Sequence, residues 1–452
     1  MRTTFTQTSK ITKAPALMAS AVLVVGLGAC APTPSANEIV VWTKNAGNDQ
    51  VVAQQALIDK YEAQNPGTTV RLIRAPARGD ADATALITAV RGGTGPDVFL
   101  ADRFTIAQFA SLGLLQSVQP QVDAEPAGFT DDYLDFALDE ASLNGDLYGL
   151  PFDTDTRGLF YNKQLLRDAG VDPEVFNPEN GPPTIDEVWE IADKITMTDE
   201  SGNYTQMGFL PWGEQGWPFT YGLANNAQLF DQETCTISVD DPGFRKIYTD
   251  FDEWGKKLNY AKADTFQATY QPPNSPPSQT PFFNGKLGMS IVYSNFIFNI
   301  ETYAPDLDWG VTYLPVNAEG DEPRSWSGGS AFTIPTGARN VDGAWDFMKF
   351  MAGEEGQRDW AISQKYLPTY APLLDDPEVV GEQQFFADML ENDQSVSRTP
   401  LPVGSELWET MNTARDAVLL GDSTPDEVMD NIERRVQPQL EPYCPVTLGR
   451  PD

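Results

Sequence analysis

No histidine occurs anywhere in the 452 residues. That absence removes serine–histidine–aspartate and cysteine–histidine catalysis, together with the common histidine-ligated zinc sites. Carboxylates are left as the main acid–base groups, so the enzymatic class still open is a glycosidase, which needs only two suitably spaced acids. Basic residues are also scarce: 30 Lys and Arg stand against 65 Asp and Glu, a formal net charge of −35. So acidic a surface repels phosphate backbones and excludes nucleic acid as a partner. Acidic solutes are disfavoured less firmly, because a basic pocket can sit within an acidic surface. Beyond residue 30 no run is long and apolar enough to cross a bilayer. Gly92-Gly93-Thr94-Gly95 precedes a strand pattern and lacks the Gly-Lys-Ser/Thr ending of a phosphate loop, so it reads as a turn. Neither an internal repeat nor a cofactor or metal motif emerges.

Cysteine is nearly absent, with three residues, and the first of them is informative. Residues 1–29 carry Arg2, Lys10 and Lys13 without an acid and then run apolar from Ala16 to Leu27, the order of an export signal. The run falls short of the roughly 20 residues that a spanning helix needs. Leu27-Gly28-Ala29-Cys30 resembles the bacterial lipobox. That likeness implies a lipidated Cys30 and a tether over residues 30–37, with acyl chains anchoring the protein without spanning the membrane. The expected location is the extracellular face of the cell membrane, or the periplasm of a Gram-negative cell. Cys235 and Cys444 remain; in an exported protein they either pair or stay as two separate thiols.

The rest, about 420 residues, suffices for two or more domains. Residues 38–42 read as a short buried strand, a polar turn over 45–49 follows, and Ala53, Leu57 and Tyr61 at spacing four beside Val52 and Ala56 predict a helix. Asn65-Pro66-Gly67 stops it before a strand over 68–73, and another strand ends at Asp102. The chain therefore opens as a doubly wound α/β lobe, where ligands meet the carboxyl ends of strands. Five prolines between Gln271 and Pro281 mark a surface loop, and 341–351 and 425–436 read as helices.

The segment Gly149-Leu150-Pro151-Phe152-Asp153-Thr154-Asp155-Thr156-Arg157-Gly158-Leu159-Phe160-Tyr161-Asn162-Lys163, with Asn144-Gly145-Asp146-Leu147-Tyr148 before it, resembles extracellular solute-binding proteins of family 1, the maltose-binding-protein group. Pro183-Thr184-Ile185-Asp186-Glu187, Phe283-Asn284-Gly285-Lys286-Leu287-Gly288-Met289, Trp309-Gly310-Val311 and Gly328-Gly329-Ser330-Ala331-Phe332 follow in the family's order. The resemblance implies a two-lobe periplasmic-binding-protein fold of type II, no enzymatic activity, and a monomer that carries a sugar to the permease subunits of an ABC importer by hinge closure. It places lobe 1 at 38–153 plus 293–352 and lobe 2 at 154–292 plus 353–452, with crossings near Asp153, Tyr293 and Gly353.

A sugar presents apolar ring faces and hydroxyl edges, so its site wants flat aromatics and side chains that both donate and accept. Trp212 and Trp217, with Gln215 between them, stand in a Pro- and Gly-flanked stretch, a poor place for core. Tyr293, Asn295 and Trp326 lie near the expected crossings. Asp155 falls on the position of a sugar-contacting glutamate in the family, flanked by Asp153 and Arg157. Asp102 and Arg103 at a strand end, and Thr43, Lys44 and Asn45 after the first strand, are further candidates, as are Gly328 and Gly329 for close backbone approach. Competing readings keep the fold but bind a polyamine, a metal or a phosphorylated polyol, or recast the cleft as a surface glycosidase.

Overall fold

Ile39, Val40 and Val41 are all buried, which a strand achieves only when both faces of its sheet are covered. In the computed structural model they belong to Glu38–Thr43, paired in parallel with Thr69–Arg74 on one side and Val98–Asp102 on the other. The structure describes residues 37–45, 47–75, 84–272 and 275–450. Residues 1–36, where a signal peptide, a lipidated Cys30 and most of a tether are expected, lie outside the described residues. The expected helix runs over Asn48–Gln64, but its buried stripe is Gln54, Leu57, Ile58 and Tyr61. Val52 is instead 69% exposed.

Two sheets organise the described residues. The first has the strand order Leu367–Pro368, Gly149–Thr154, Gly329–Thr333, Val98–Asp102, Glu38–Thr43, Thr69–Arg74. The second runs Trp309–Thr312, Arg157–Asn162, Leu287–Tyr293, Tyr204–Phe209, Met197–Thr198. Each has its own core. Val41, Leu100, Phe152, Phe332 and Met348 pack together in one; Phe160, Phe209, Phe251, Met289 and Leu407 pack in the other. The result is two α/β lobes.

The strand Gly149–Thr154 ends in the first sheet and Arg157–Asn162 begins in the second, so Asp155 and Thr156 form the first crossing. The second crossing differs from expectation. Trp309–Thr312 still pairs with Arg157–Asn162, and the first sheet resumes only at Gly329. Tyr293 does close a strand, but the next strand folds back on the same sheet, so the chain returns over residues 327–329. The last passage is also later than Gly353: Leu367–Pro368 pairs with Gly149–Thr154 and Trp360 packs on Phe152. Leu374 and Val380 then join the second core.

The crossings are fastened to one another. Ser325–Ser327 pairs in parallel with Ser395–Ser397, and the Ser395 hydroxyl hydrogen-bonds those of Thr156 at 2.8 Å and Ser327 at 2.6 Å. Cys235 and Cys444 are joined in a disulfide. The late helices span Val341–Ala352 and Pro425–Leu440. Among the described residues no helix is long and apolar enough to cross a membrane.

Candidate ligand-binding site

The carboxyl ends of the central strands and the crossings meet at one cavity of about 300 Å³. The strand Glu38–Thr43 delivers Lys44 and Asn45 to it, and Val98–Asp102 delivers Asp102. The first crossing supplies Asp153, Asp155 and Arg157; the second supplies Trp326, Gly328, Gly329 and Ser330. Gln215, Trp217 and Tyr293 come from the second lobe, with Trp217 capping the helix Pro218–Ala224. Tyr366, Arg398 and Trp408 complete the wall.

Charges dominate the polar lining and pair with one another. Arg398 donates to Asp102 at 2.5 Å and to Glu140 at 3.1 Å, and Lys44 stands 3.8 Å from Asp102. Burial alone would raise the Asp102 carboxyl, but Arg398 and Lys44 outweigh it and hold the group well below the usual carboxylate range. Burial wins at Asp153, whose carboxyl is raised against the pull of Lys44 and Arg103. Its Oδ1 accepts from the Ser330 amide at 2.7 Å and its Oδ2 from the Trp360 indole at 3.0 Å. Asp155 Oδ1 accepts from the Gly328 amide at 2.6 Å and from Arg157. Burial lowers the Arg157 guanidinium, with Asp155 opposing. The Tyr366 hydroxyl is pushed far up, by burial first and then by the Asp153 charge.

Four of the residues expected at a site stand elsewhere. Trp212 is core: 8% exposed, it packs at a tilt against Tyr260 with centroids 5.4 Å apart. The Pro and Gly around it belong to a tight turn, closed by the Gly213 amide on the Leu210 carbonyl at 3.0 Å. Arg103 is fully buried, bonding Glu140 at 2.9 Å, the Asp153 carbonyl, and the Gly328 carbonyl at 2.5 Å. It braces both crossings from behind the cavity wall. The Thr43 hydroxyl accepts from the Asn45 amide at 3.1 Å, shaping the turn that presents Asn45. Asn295 also lies outside the lining. Gly329 lines the cavity and also has a packing reason to be glycine: at φ +133 its Cβ would strike the Asp153 carbonyl and the Arg103 guanidinium. Ser330, Tyr366, Arg398 and Trp408 escaped sequence reasoning. Ser330 adjoins the Gly328-Gly329 pair and was within reach, whereas Arg398 and Trp408 reach the cavity from distant sequence.

The sequence model of the family described as bacterial extracellular solute-binding protein matches residues 47–358. The maltotriose-binding protein of Pyrococcus abyssi is 25% identical, covering 84% of this chain and 77% of its own. The sn-glycerol-3-phosphate-binding periplasmic protein of Escherichia coli is 23% identical, over 93% of this chain and 96% of its own. Among solved structures, CpMnBP1 with mannobiose bound superposes with a TM-score of 0.74 at 24% identity, covering 88% of this chain and 99% of that one, a likeness of fold. The two lobes, the cavity where their crossings meet and a match over most of the length lead to one conclusion: the chain belongs to the bacterial extracellular solute-binding protein family.

Proposed function

We propose that the protein captures a carbohydrate in the cavity between its lobes and hands it to an ABC importer. The observation that carries this is the lining: Trp217, Trp408, Tyr293 and Tyr366 offer flat apolar surface beside closely spaced hydrogen-bonding groups, the combination that sugar rings and their hydroxyls require. The names of relatives that bind maltotriose and mannobiose support the same class of solute. The ligand contacts are Lys44, Asn45, Asp102, Asp155, Arg157, Gln215, Trp217, Tyr293, Tyr366, Arg398 and Trp408.

The commitments of the carboxylates weigh against the rival readings. A polyamine needs acids free to receive ammonium groups, yet Asp102 is paired with Arg398, Asp155 with Arg157, and both Asp153 oxygens accept from the protein. A glycosidase needs one carboxylic acid and one carboxylate facing the same bond. Asp153, the raised acid, is turned to Ser330 and Trp360. The protein therefore releases its sugar intact.

A thermal-shift screen of mono- and oligosaccharides, polyamines and sugar phosphates, with product analysis of each hit, tests this reading. An upward shift with a sugar recovered intact is expected; cleaved sugar, or a response to polyamines alone, would refute it. We further propose a monomer anchored through a lipidated Cys30. Labelled palmitate should enter the protein and be lost in Cys30→Ser, and light scattering should report one chain.

A further inference from the structure

Trp326 lies in the cavity wall but offers no open face to a sugar ring. It is 2% exposed, its indole N–H donates to the Thr220 hydroxyl at 2.9 Å, and the guanidinium carbon of Arg157 sits 3.4 Å from its ring centroid. Arg398 approaches the same ring at 5.3 Å. A guanidinium laid on an indole is fixed in orientation, so its remaining N–H groups have defined directions.

Those remaining groups open onto the cavity. Arg157 uses Nε for Gln215 at 3.3 Å, and Nη1 for Asp155 and, at 3.3 Å, the Trp326 carbonyl. Its Nη2 has no partner among the described residues. Arg398 uses Nε for Glu140 and Nη2 for Asp102, leaving Nη1 in the same position. Neither atom is sealed from the cavity, whereas Asn45 Nδ2 is buried there without a partner. The acids contrast: Asp153 is fully committed, and Asp102 and Asp155 each give one oxygen to two protein donors. With Asp102 Oδ2 beside Lys44 at 3.8 Å, Asp155 Oδ2 is the one lining carboxylate oxygen without a bond among the described residues, and it stands against the N–H groups of two unpartnered guanidinium nitrogens.

A hydroxyl both donates and accepts, while a carboxylate or phosphate only accepts. We propose that the carbohydrate bound here carries one anionic, acceptor-only group, a carboxylate or a phosphate, seated against Arg157 Nη2 and Arg398 Nη1, with Trp326 as the positioning residue that holds both guanidiniums. The inference rests on the carbohydrate reading above and narrows it. The acidic exterior does not oppose it, since surface charge is screened over about 8 to 10 Å at ordinary salt. Within the cavity Lys44, Arg157 and Arg398 balance Asp102, Asp153 and Asp155.

Calorimetric titration of the purified protein with matched pairs tests the proposal: D-galacturonate and D-galactose, D-glucuronate and D-glucose, digalacturonate and galactobiose, sn-glycerol 3-phosphate and glycerol. In at least one pair the anionic member should bind about tenfold or more tightly, the worth of one charge-assisted hydrogen bond; which pair responds separates carboxylate from phosphate. Arg157→Lys keeps the charge but loses the fork, and should cut that preference about tenfold. Trp326→Leu should erode it likewise while Trp326→Phe restores it, a pattern that loss of fold would not produce; apo melting temperatures taken in parallel identify any unfolded variant. If neutral members, or neutral oligosaccharides of the earlier screen, bind as tightly as the anionic ones, the inference falls and the carbohydrate reading stands. Binding by no sugar of either kind removes both.

Discussion

Opening the Cys235–Cys444 bond should cost the protein stability without costing it its ligand. The two cysteines are 209 residues apart in sequence with Cα atoms 6.0 Å apart, so the bond closes a very long loop in the unfolded chain. In the chain-entropy account such a closure is worth about 5 kcal/mol. Unfolding entropy of about 2.1 cal/mol/K per residue, over roughly 415 folded residues, converts this into a melting point lower by about 6 °C. The fold itself should survive reduction, because Gln437 still bridges the same segments, accepting from the Ile237 amide at 2.9 Å and donating to the Cys235 carbonyl at 3.1 Å. Neither sulfur lines the cavity, so sugar affinity should hold. Scanning calorimetry of the protein with and without a reductant, and of the Cys235→Ser, Cys444→Ser double variant, measures the drop; titration of both with the best sugar measures the affinity. A drop below about 2 °C would mean that the unfolded chain does not gain the freedom assumed here. Lost affinity would mean that the bond shapes the cavity from a distance.

The two tryptophans of one short segment should separate cleanly. Trp217→Ala should weaken sugar binding about tenfold or more and leave the apo melting point nearly unchanged, since the ring is half-buried in the cavity wall. Trp212→Ala should instead lose about 3 to 5 kcal/mol of stability, as deletion of a core aromatic does; chemical denaturation distinguishes the two, and a stable Trp212→Ala would contradict its place in the core. Gly329→Ala should destabilise by about 1 to 3 kcal/mol or more, because a side chain there meets both strain and a collision. For pH, the folded Asp102 value lies below the unfolded one of about 3.9, so its stabilisation is complete above that pH and is lost as pH falls through the folded value. Asp102→Asn should accordingly cost more at pH 7 than at pH 3 in urea titrations, and an equal cost at both would refute the assignment.

What could be read from the sequence follows from how local each feature is. The opening strand–helix–strand unit was legible because its apolar runs and its Asn-Pro-Gly stop lie within a few residues of one another, and Asp153, Asp155 and Arg157 were legible because one continuous segment carries them across the lobes. Arg398 and Trp408 were not, for no local signal distinguishes an arginine after a short strand, or a tryptophan on a helix, from ordinary surface and core. Residue type misled in one further way. A tryptophan near a crossing suggests a stacking platform, yet Trp326 is covered by Arg157, and that contact depends on a side chain 169 positions earlier. The same contacts tie the site to the passages between lobes. Asp155 accepts from the Gly328 amide while Arg103 donates to the Gly328 carbonyl, so the groups that orient Arg157 also join the first crossing to the second. A solute that draws on Arg157 or Asp155 therefore acts on the hydrogen bonds at the crossings, which gives the cavity a direct mechanical connection to the relative setting of the two lobes.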